Sequence, residues 1–531
     1  MSRQEAVKET RGVLPLVLAA LALVVAAVPA LNVALPGVAA DTGATQSQMQ
    51  WIVDAYALVF AGLLLPAGAL GDRYGRKPLL VLGLLVFGVG SAAAALCATP
   101  GPLIGARALM GVGAAMVMPT TLSIITSSFP VQQRAKAVGA WIGVAGAGAI
   151  LGLVSSGLLL EWSGWQSVFW LNVVLATVVG VLALRRVPNS RDEHRPRVDY
   201  LGGLLLTVAL TGVVFAAIEG PELGWADPLT LAAFGAGAAA GALWLLWSLH
   251  TPEPLLDPRL FLRRSFSSGV FSIGAQFFVF FGFVFLVIQY VQMVLGYSPL
   301  RAGLALLPMA MVLGGLSRNA PRLAGHLSRR NMSVGGVLLI AGGMVVLSQL
   351  DAGSSYWWLL AGIIPLGAGM ALATAPATTG IVASLPDSKQ GVGSAVNDAA
   401  REVGGALGIA VLGSILNGVY RSQVADTLPD ELAAHSTPAQ ESLPAALAVA
   451  RHLGDPGAGL AGAARDAFTH GMSVAFLASA VLLVLVAAAL AALNRGEKAQ
   501  PDRRPEPATV PSAVEAETKQ DVYPIAAGAS R

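Results

Sequence analysis

Runs of apolar residues about long enough to cross a bilayer, separated by short polar stretches, recur along nearly the whole chain. A spanning helix needs about 20 such residues, because lipid tolerates only a backbone whose polar groups are bonded internally. That measure predicts fourteen spans, near residues 13–36, 51–70, 78–97, 102–125, 136–160, 168–186, 200–218, 230–249, 267–293, 302–317, 334–350, 357–383, 391–417 and 468–493. The tenth is the least distinct, since "SRNAPRLAGHLSRR" follows it closely. Residues 420–466, with Pro, Gly and acids, read as a long outer loop, and 496–531 as a disordered cytoplasmic tail. The first run follows the basic stretch "MSRQEAVKETR", as a signal peptide would. The topology needs it as a retained span.

Charge orients the spans. With residues 1–12 in the cytoplasm, only Arg301, Arg421, Arg451 and Arg465 of the 33 Lys and Arg residues fall on outer loops, and Arg107 and Arg401 fall inside spans. The rest lie on the cytoplasmic side, a strong positive-inside bias. The composition is 55% hydrophobic and 12% charged, with mean hydropathy +0.68. A net charge of +3 gives no footprint for nucleic acid. Cys97 is the single cysteine and the 6 His are scattered, so neither a disulfide framework nor a metal site is expected. There is no phosphate-binding loop, no H-E-x-x-H and no soluble catalytic domain. ATP-driven transport and enzymatic activity are therefore not expected, and no cofactor is implied.

The loop after the second span reads "GALGDRYGRK". Gly68, Gly71 and Gly75 allow a tight turn, Asp72 offers a charge to a neighbouring helix end, and Arg73, Arg76 and Lys77 supply the basic end. A merely topogenic loop needs only the bases. The ordered Gly and Asp resemble the signature loop of the major facilitator superfamily. "RALMGVGAAMVMP" (Arg107–Pro119) resembles that family's fourth-helix motif with its buried Arg. "WIVDAYAL", "GYSPLRAGLALLP" and "GVGSAVNDAAREVGGALGIAVLGS" resemble segments of its fourteen-span drug:proton antiporter branch. The resemblance implies an all-α polytopic fold with both termini cytoplasmic. Two six-helix bundles (13–186 and 267–493) would flank two inserted helices (200–249), each bundle holding inverted three-helix repeats around a midplane cavity. "AGHLSRRN" (324–331) sits where a second copy of the loop belongs and keeps its basic end without the Asp.

Three departures bear on mechanism. The carboxylate usual before "NVALP" (Asn32–Pro36) is replaced by Ala27. The fifth-helix antiporter motif reads "GLVSSG" (Gly152–Gly157), with Leu153 for Pro and Ser156 for Gly, so this helix is expected to bend less. The usual Trp-Arg after it reads Trp165-Gln166.

Charged residues inside spans cost about 2.5–3.5 kcal/mol on insertion scales, so those that persist face a cavity or a partner. Asp54 lies about one turn into the second span as drawn above. It reads either as a first-turn acid on the helix dipole or as a proton acceptor at a cavity rim. Arg107 reads as a buried cation acting on a carboxylate or an acidic substrate group. In the thirteenth span Asp398, Arg401 and Glu402 cluster, with Asn397 beside them. Asp398 and Arg401 are spaced to pair, so the cluster is either self-compensated structure or a proton site centred on Glu402. Gly111, Gly143, Gly146, Gly152, Gly404 and Gly408 read as packing hinges where helices approach and slide.

The resulting expectation is a bacterial inner-membrane exporter of lipophilic drugs or antibiotics, working by alternating access against the proton motive force. Its partners would be a lipophilic or lipid substrate, protons and membrane lipids. Export of an endogenous lipid or secondary metabolite with weak or no proton coupling is the alternative raised by Ala27 and Leu153. A non-transporting sensor or scaffold is a third, against which the intact loop and Arg107 argue.

Overall fold

A computed structural model describes residues 3–191, 199–324, 327–385, 390–427, 436–454 and 457–493. The tail at 496–531, expected to be disordered, lies outside them. Thirteen described helices are long and apolar enough to cross a membrane, and a bent pair in the fifth makes fourteen when counted as one span. The first half contains α1 (Arg3–Thr42), α2 (Gln46–Tyr74), α3 (Arg76–Leu96), α4 (Pro100–Ser128), α5 (Val131–Leu160) and α6 (Gln166–Arg186). Then come α7 (Tyr200–Leu223) and α8 (Pro228–His250). The second half contains α9 (Arg264–Gln289), α10 (Pro299–Ala305), α11 (Leu307–Ala324), α12 (Arg329–Leu347), α13 (Tyr356–Ala383), α14 (Gln390–Thr427), α15 (Ser436–Glu441), α16 (Leu443–Leu453) and α17 (Gly457–Leu493).

The two halves repeat one packing scheme. Neighbours α1–α5, α2–α4, α3–α4 and α3–α6 recur as α9–α14, α11–α13, α12–α13 and α12–α17. Small residues make both copies possible. A Cβ at Gly111 of α4 would meet Tyr56 O of α2 at 2.6 Å, and one at Gly367 of α13 would meet Met309 O of α11 at 2.7 Å. Gly152 abuts the Ala26 carbonyl of α1, and Gly404 and Gly408 abut the Gly274 and Phe278 carbonyls of α9. Without a hydrophobic drive between helices in lipid, such backbone approach is what holds them together.

Three sequence expectations need correction. The halves of α5, residues 136–145 and 150–160, meet at 45° although Pro is absent. The bend falls where Gly148 and Gly152 press the helix onto Val25 and Ala26, and Ser156 Oγ bonds the Ala30 carbonyl of α1 at 2.6 Å. Gly143 is exposed with open space around it rather than packed. Before the bend the first half packs through Ala137, Trp141 and Ala145, with Trp141 Nε1 donating to Thr121 Oγ1 at 3.0 Å. The surroundings of Gly146 fall outside the described residues. The segment 420–466 is also less of a loop than expected: α14 and α17 extend into it, and α15 and α16 fill part of the remainder.

The halves meet at the end that carries the α1–α2 turn. There Gln292 donates to the Val33 carbonyl (3.0 Å), and the Leu300 amide to Glu161 (3.4 Å). Gly157 and Gly303 bring α5 against α10. The opposite end carries the Gly68–Lys77 loop. Gly75 takes φ 120, a value side chains rarely adopt, and bonds back to the Gly71 carbonyl at 3.0 Å. Asp72 Oδ1 accepts from Arg76 Nε and Nη2 at 2.9 and 2.8 Å, and the Arg76 amide bonds Ser190 O beyond α6.

The packing contrast is testable. Gly408→Val should lower the stability of the detergent-solubilised protein by about 1–3 kcal/mol, as overpacking does. Gly143→Val should leave its melting temperature near that of the parent.

Candidate functional site

Arg107 enters two turns along α4 and is fully buried. Its Nε donates to the Ile52 carbonyl of α2 at 3.0 Å, and its guanidinium lies 4.4 Å from the centre of the Tyr56 ring. Tyr56 is buried too, its hydroxyl donating to the Val24 carbonyl of α1 at 3.0 Å. One cation thus ties α4, α2 and α1 through a π face and a backbone oxygen. Nη2 has no described partner, so one donor of the fork remains to be satisfied.

Asp54 occupies the other side of α2. This helix begins at Gln46, where Thr45 and Gln48 form a capping box, so Asp54 lies more than two turns in rather than one. Ser47, Gln50, Asp54 and Leu58 share a face by their three- and four-residue spacing. That face runs antiparallel along α14. Asn417 Nδ2 donates to Ser47 Oγ at 3.4 Å, Gln50 lies against Gly413, and Ala57 and Leu58 pack with Ala406 and Ala410. Asp54 therefore sits in the seam between the halves. It is fully buried, and neither carboxyl oxygen has a hydrogen-bond partner among the described residues.

Further along α14, Asp398 and Arg401 pair at 3.7 Å, and the Arg401 guanidinium lies 4.6 Å from the Phe277 ring centre on α9. Asn397 accepts from Thr378 of α13 at 3.0 Å. Glu402 lies close enough to Tyr56 for the two to interact electrostatically. The geometry brings Arg107, Tyr56 and Glu402 into one electrostatic neighbourhood, with Asp54 nearer the closed end.

Several polar residues escaped the sequence reading. Gln50 and Asn417, neutral amides near span ends, are buried in the seam with unpartnered atoms. Asn32, the first residue of "NVALP", is buried with both amide atoms unpartnered among the described residues. Glu219, just beyond the predicted seventh span, lies within α7 and accepts from Trp51 Nε1 of α2 at 2.7 Å. An amide or acid at a span edge looks interfacial until neighbouring helices cover it.

Paired half-repeats, a polar seam and charges held at mid-helix define a membrane transporter of the alternating-access type. The chain belongs to the Major Facilitator Superfamily, which it matches over residues 17–409. It is 35% identical over 465 residues to the multidrug efflux pump LfrA of Mycolicibacterium smegmatis, covering 86% of this chain and 91% of that protein. It is 33% identical over 512 residues to the tetracenomycin C resistance and export protein of Streptomyces glaucescens, covering 91% of each. Among solved structures it resembles a bacterial homologue of the lysosomal transporter Spinster in an inward-facing, unoccupied conformation. The TM-score is 0.65 at 15% identity, covering 93% of this chain and 98% of that one. An auto-inhibited peptide transporter of the POT family gives a TM-score of 0.60 at 15% identity, covering 93% and 99%. The chain is a multi-pass protein of the bacterial inner membrane.

Arg107→Ala should abolish transport while leaving the amount of folded protein near normal. Arg107→Lys should restore only part of it, because an ammonium lacks the planar fork that serves a carbonyl and a ring face together. Transport assays alongside quantitation of membrane-inserted protein check both.

Proposed function

We propose that this protein exports lipophilic drugs or antibiotics by exchange with inward-moving protons. Relatives named for multidrug efflux and antibiotic export support the substrate class. The observation that supports proton coupling is Asp54: a carboxyl sealed between the two halves, without a counter-charge among the described residues, in a chain that lacks the usual first-helix acid at Ala27. Glu402 and Asp398 on α14 supply the deeper acids to which a proton passes. Arg107 fixes α4 against α2 beside that route.

The positive-inside bias supports a cytoplasmic Gly68–Lys77 loop and cytoplasmic termini, with the closed end facing outward. The conformation is then inward-facing, with the outer seam shut. Asp72 is satisfied by Arg76 in this state. On closure of the cytoplasmic end it moves to the start of α14 near 390–393, where the helix dipole favours an acid. Residues 386–389 lie outside the described ones. A potential of 100 mV gives about 2.3 kcal/mol per proton, enough for roughly a fifty-fold gradient of a neutral substrate.

Ala27 and Leu153 favour one second reading, export of an endogenous lipid or secondary metabolite without tight proton coupling. Purified protein in liposomes separates the two. An imposed pH gradient should drive flux of cationic or neutral lipophilic compounds, whereas flux of lipidic compounds alone, indifferent to the gradient, supports the second reading. Asp54→Asn keeps size and polarity but carries no proton. It should remove gradient-driven flux and leave substrate binding largely intact. Normal flux in Asp54→Asn with flux lost in Glu402→Gln would move coupling to α14.

A further inference from the structure

Closing the seam between α2 and α14 leaves an imbalance of hydrogen-bonding atoms. Among the described residues both oxygens of Asp54, Gln50 Oε1 and Asn417 Oδ1 are buried acceptors without a partner, while Gln50 Nε2 and Gln46 Nε2 are the neighbouring buried donors left over. Register brings these groups together. Asp54 is one turn from Gln50 on α2, Gln50 lies against Gly413, and Asn417 is one turn beyond Gly413 on α14. Each buried polar atom without a partner costs roughly 1–3 kcal/mol, and a carboxylate more. A proton on Asp54 removes the charge and turns one surplus acceptor into a donor.

No charged group around the seam removes the need for that proton. On α4, Arg107 is directed to Ile52 O and Tyr56, on the opposite side of α2. On α7, Glu219 accepts from Trp51. On α14, Arg401 pairs with Asp398, Glu402 lies toward Tyr56, and Arg421 lies a turn past Asn417. On α1, Asp41 accepts from Trp165 at 3.0 Å. None of them forms an ion pair with Asp54 among the described residues.

We propose that Gln50 and Asn417 are positioning residues that read the proton on Asp54 across the two halves. The seam closes over the neutral carboxyl, whose O–H donates to Gln50 Oε1 one turn away while Gln50 Nε2 donates onward to Asn417 Oδ1 across the seam, and it opens when the carboxyl is charged and takes up water. The inference rests on the proton-coupled reading and adds to it where the proton acts: at the gate between the halves, apart from the substrate. Release of the proton toward Glu402 recharges Asp54 and favours reopening.

The test measures the gate and flux separately. In the Cys97→Ser background, spin labels at Ala40→Cys and Ser355→Cys report the distance across the closed end in lipid nanodiscs as pH is varied. The parent should shift toward the short distance as pH falls, and Asp54→Asn should hold the short distance at every pH. Gln50→Leu and Asn417→Leu each weaken the neutral form. They should therefore need about tenfold more protons to close, a midpoint roughly one pH unit lower. Reading of the proton leaves the closed-to-open ratio at the alkaline limit, with Asp54 charged, equal to the parent's; a packing role alone would lower it there by the same factor as at low pH. That result for both variants overturns the proposal. So does a parent distance indifferent to pH, or an Asp54→Asn variant that follows the parent's pH response. Gradient-driven flux in liposomes is measured on the same proteins. Coupled flux with a pH-indifferent gate refutes this inference and leaves the proton-coupled reading standing. A pH-responsive gate without coupled flux does the reverse.

Discussion

The antiparallel contact of α2 with α14 is the constraint on which the rest of the structure depends. It joins the two halves, closes one end, and over 47–58 against 406–417 is built from small and neutral residues apart from Asp54. Apolar surface gains little by associating in lipid, so the contact rests on close backbone approach and on polar groups that must be satisfied. A carboxyl at such a place makes the contact conditional. Neutral, it is a polar group among amides; charged, it needs water or a cation and separates the helices. A transporter that must alternate between two closures requires a contact of this conditional kind.

The inserted helices bear on the same seam. α7 lies along both α2 and α14, but it holds the two differently. Toward α2 it interlocks: Thr207 abuts Gly62, Gly203 abuts Pro66, and Glu219 accepts from the Trp51 indole. Toward α14 it presents Val214 and Ile218 to Ala406 and Ala410, an apolar surface without directional bonds. Such a helix is suited to travel with α2 and slide over α14, covering the seam from lipid as it works. The other joint, α5 with α10, is made by Gly157 against Leu300 and Gly303 against Leu153. There the departures from the family motif have structural consequences. Ser156 bonds α1, and the bend that Pro would give is made by pressing Gly148 and Gly152 onto α1.

How much of this was legible in the sequence follows from what each feature depends on. Spans were readable because lipid imposes a length and a polarity on every one of them. The Gly68–Lys77 loop was readable because a tight turn between helices needs Gly at fixed places, and Gly75 does take a positive φ. The start of α2 was misplaced because "QSQMQ" looks like loop, whereas the Thr45 capping box and burial against α14 make it helix. Asp54 consequently seemed near the surface. Gln50, Asn417 and Glu219 were not recognised because their importance lies in what covers them, which is tertiary. The bend in α5 was not legible because Pro, its usual local cause, is absent, and contact with α1 supplies another.

If a proton and a substrate share one alternating cycle, either gradient must be able to drive the other. The most direct measurement uses liposomes containing the purified protein and a luminal pH indicator, with no initial pH gradient and the membrane potential clamped. Adding a transported lipophilic compound outside should drive it inward and protons outward, so the lumen becomes alkaline at a rate that depends on the protein. Protein-dependent entry of the compound with no change in luminal pH would contradict proton exchange.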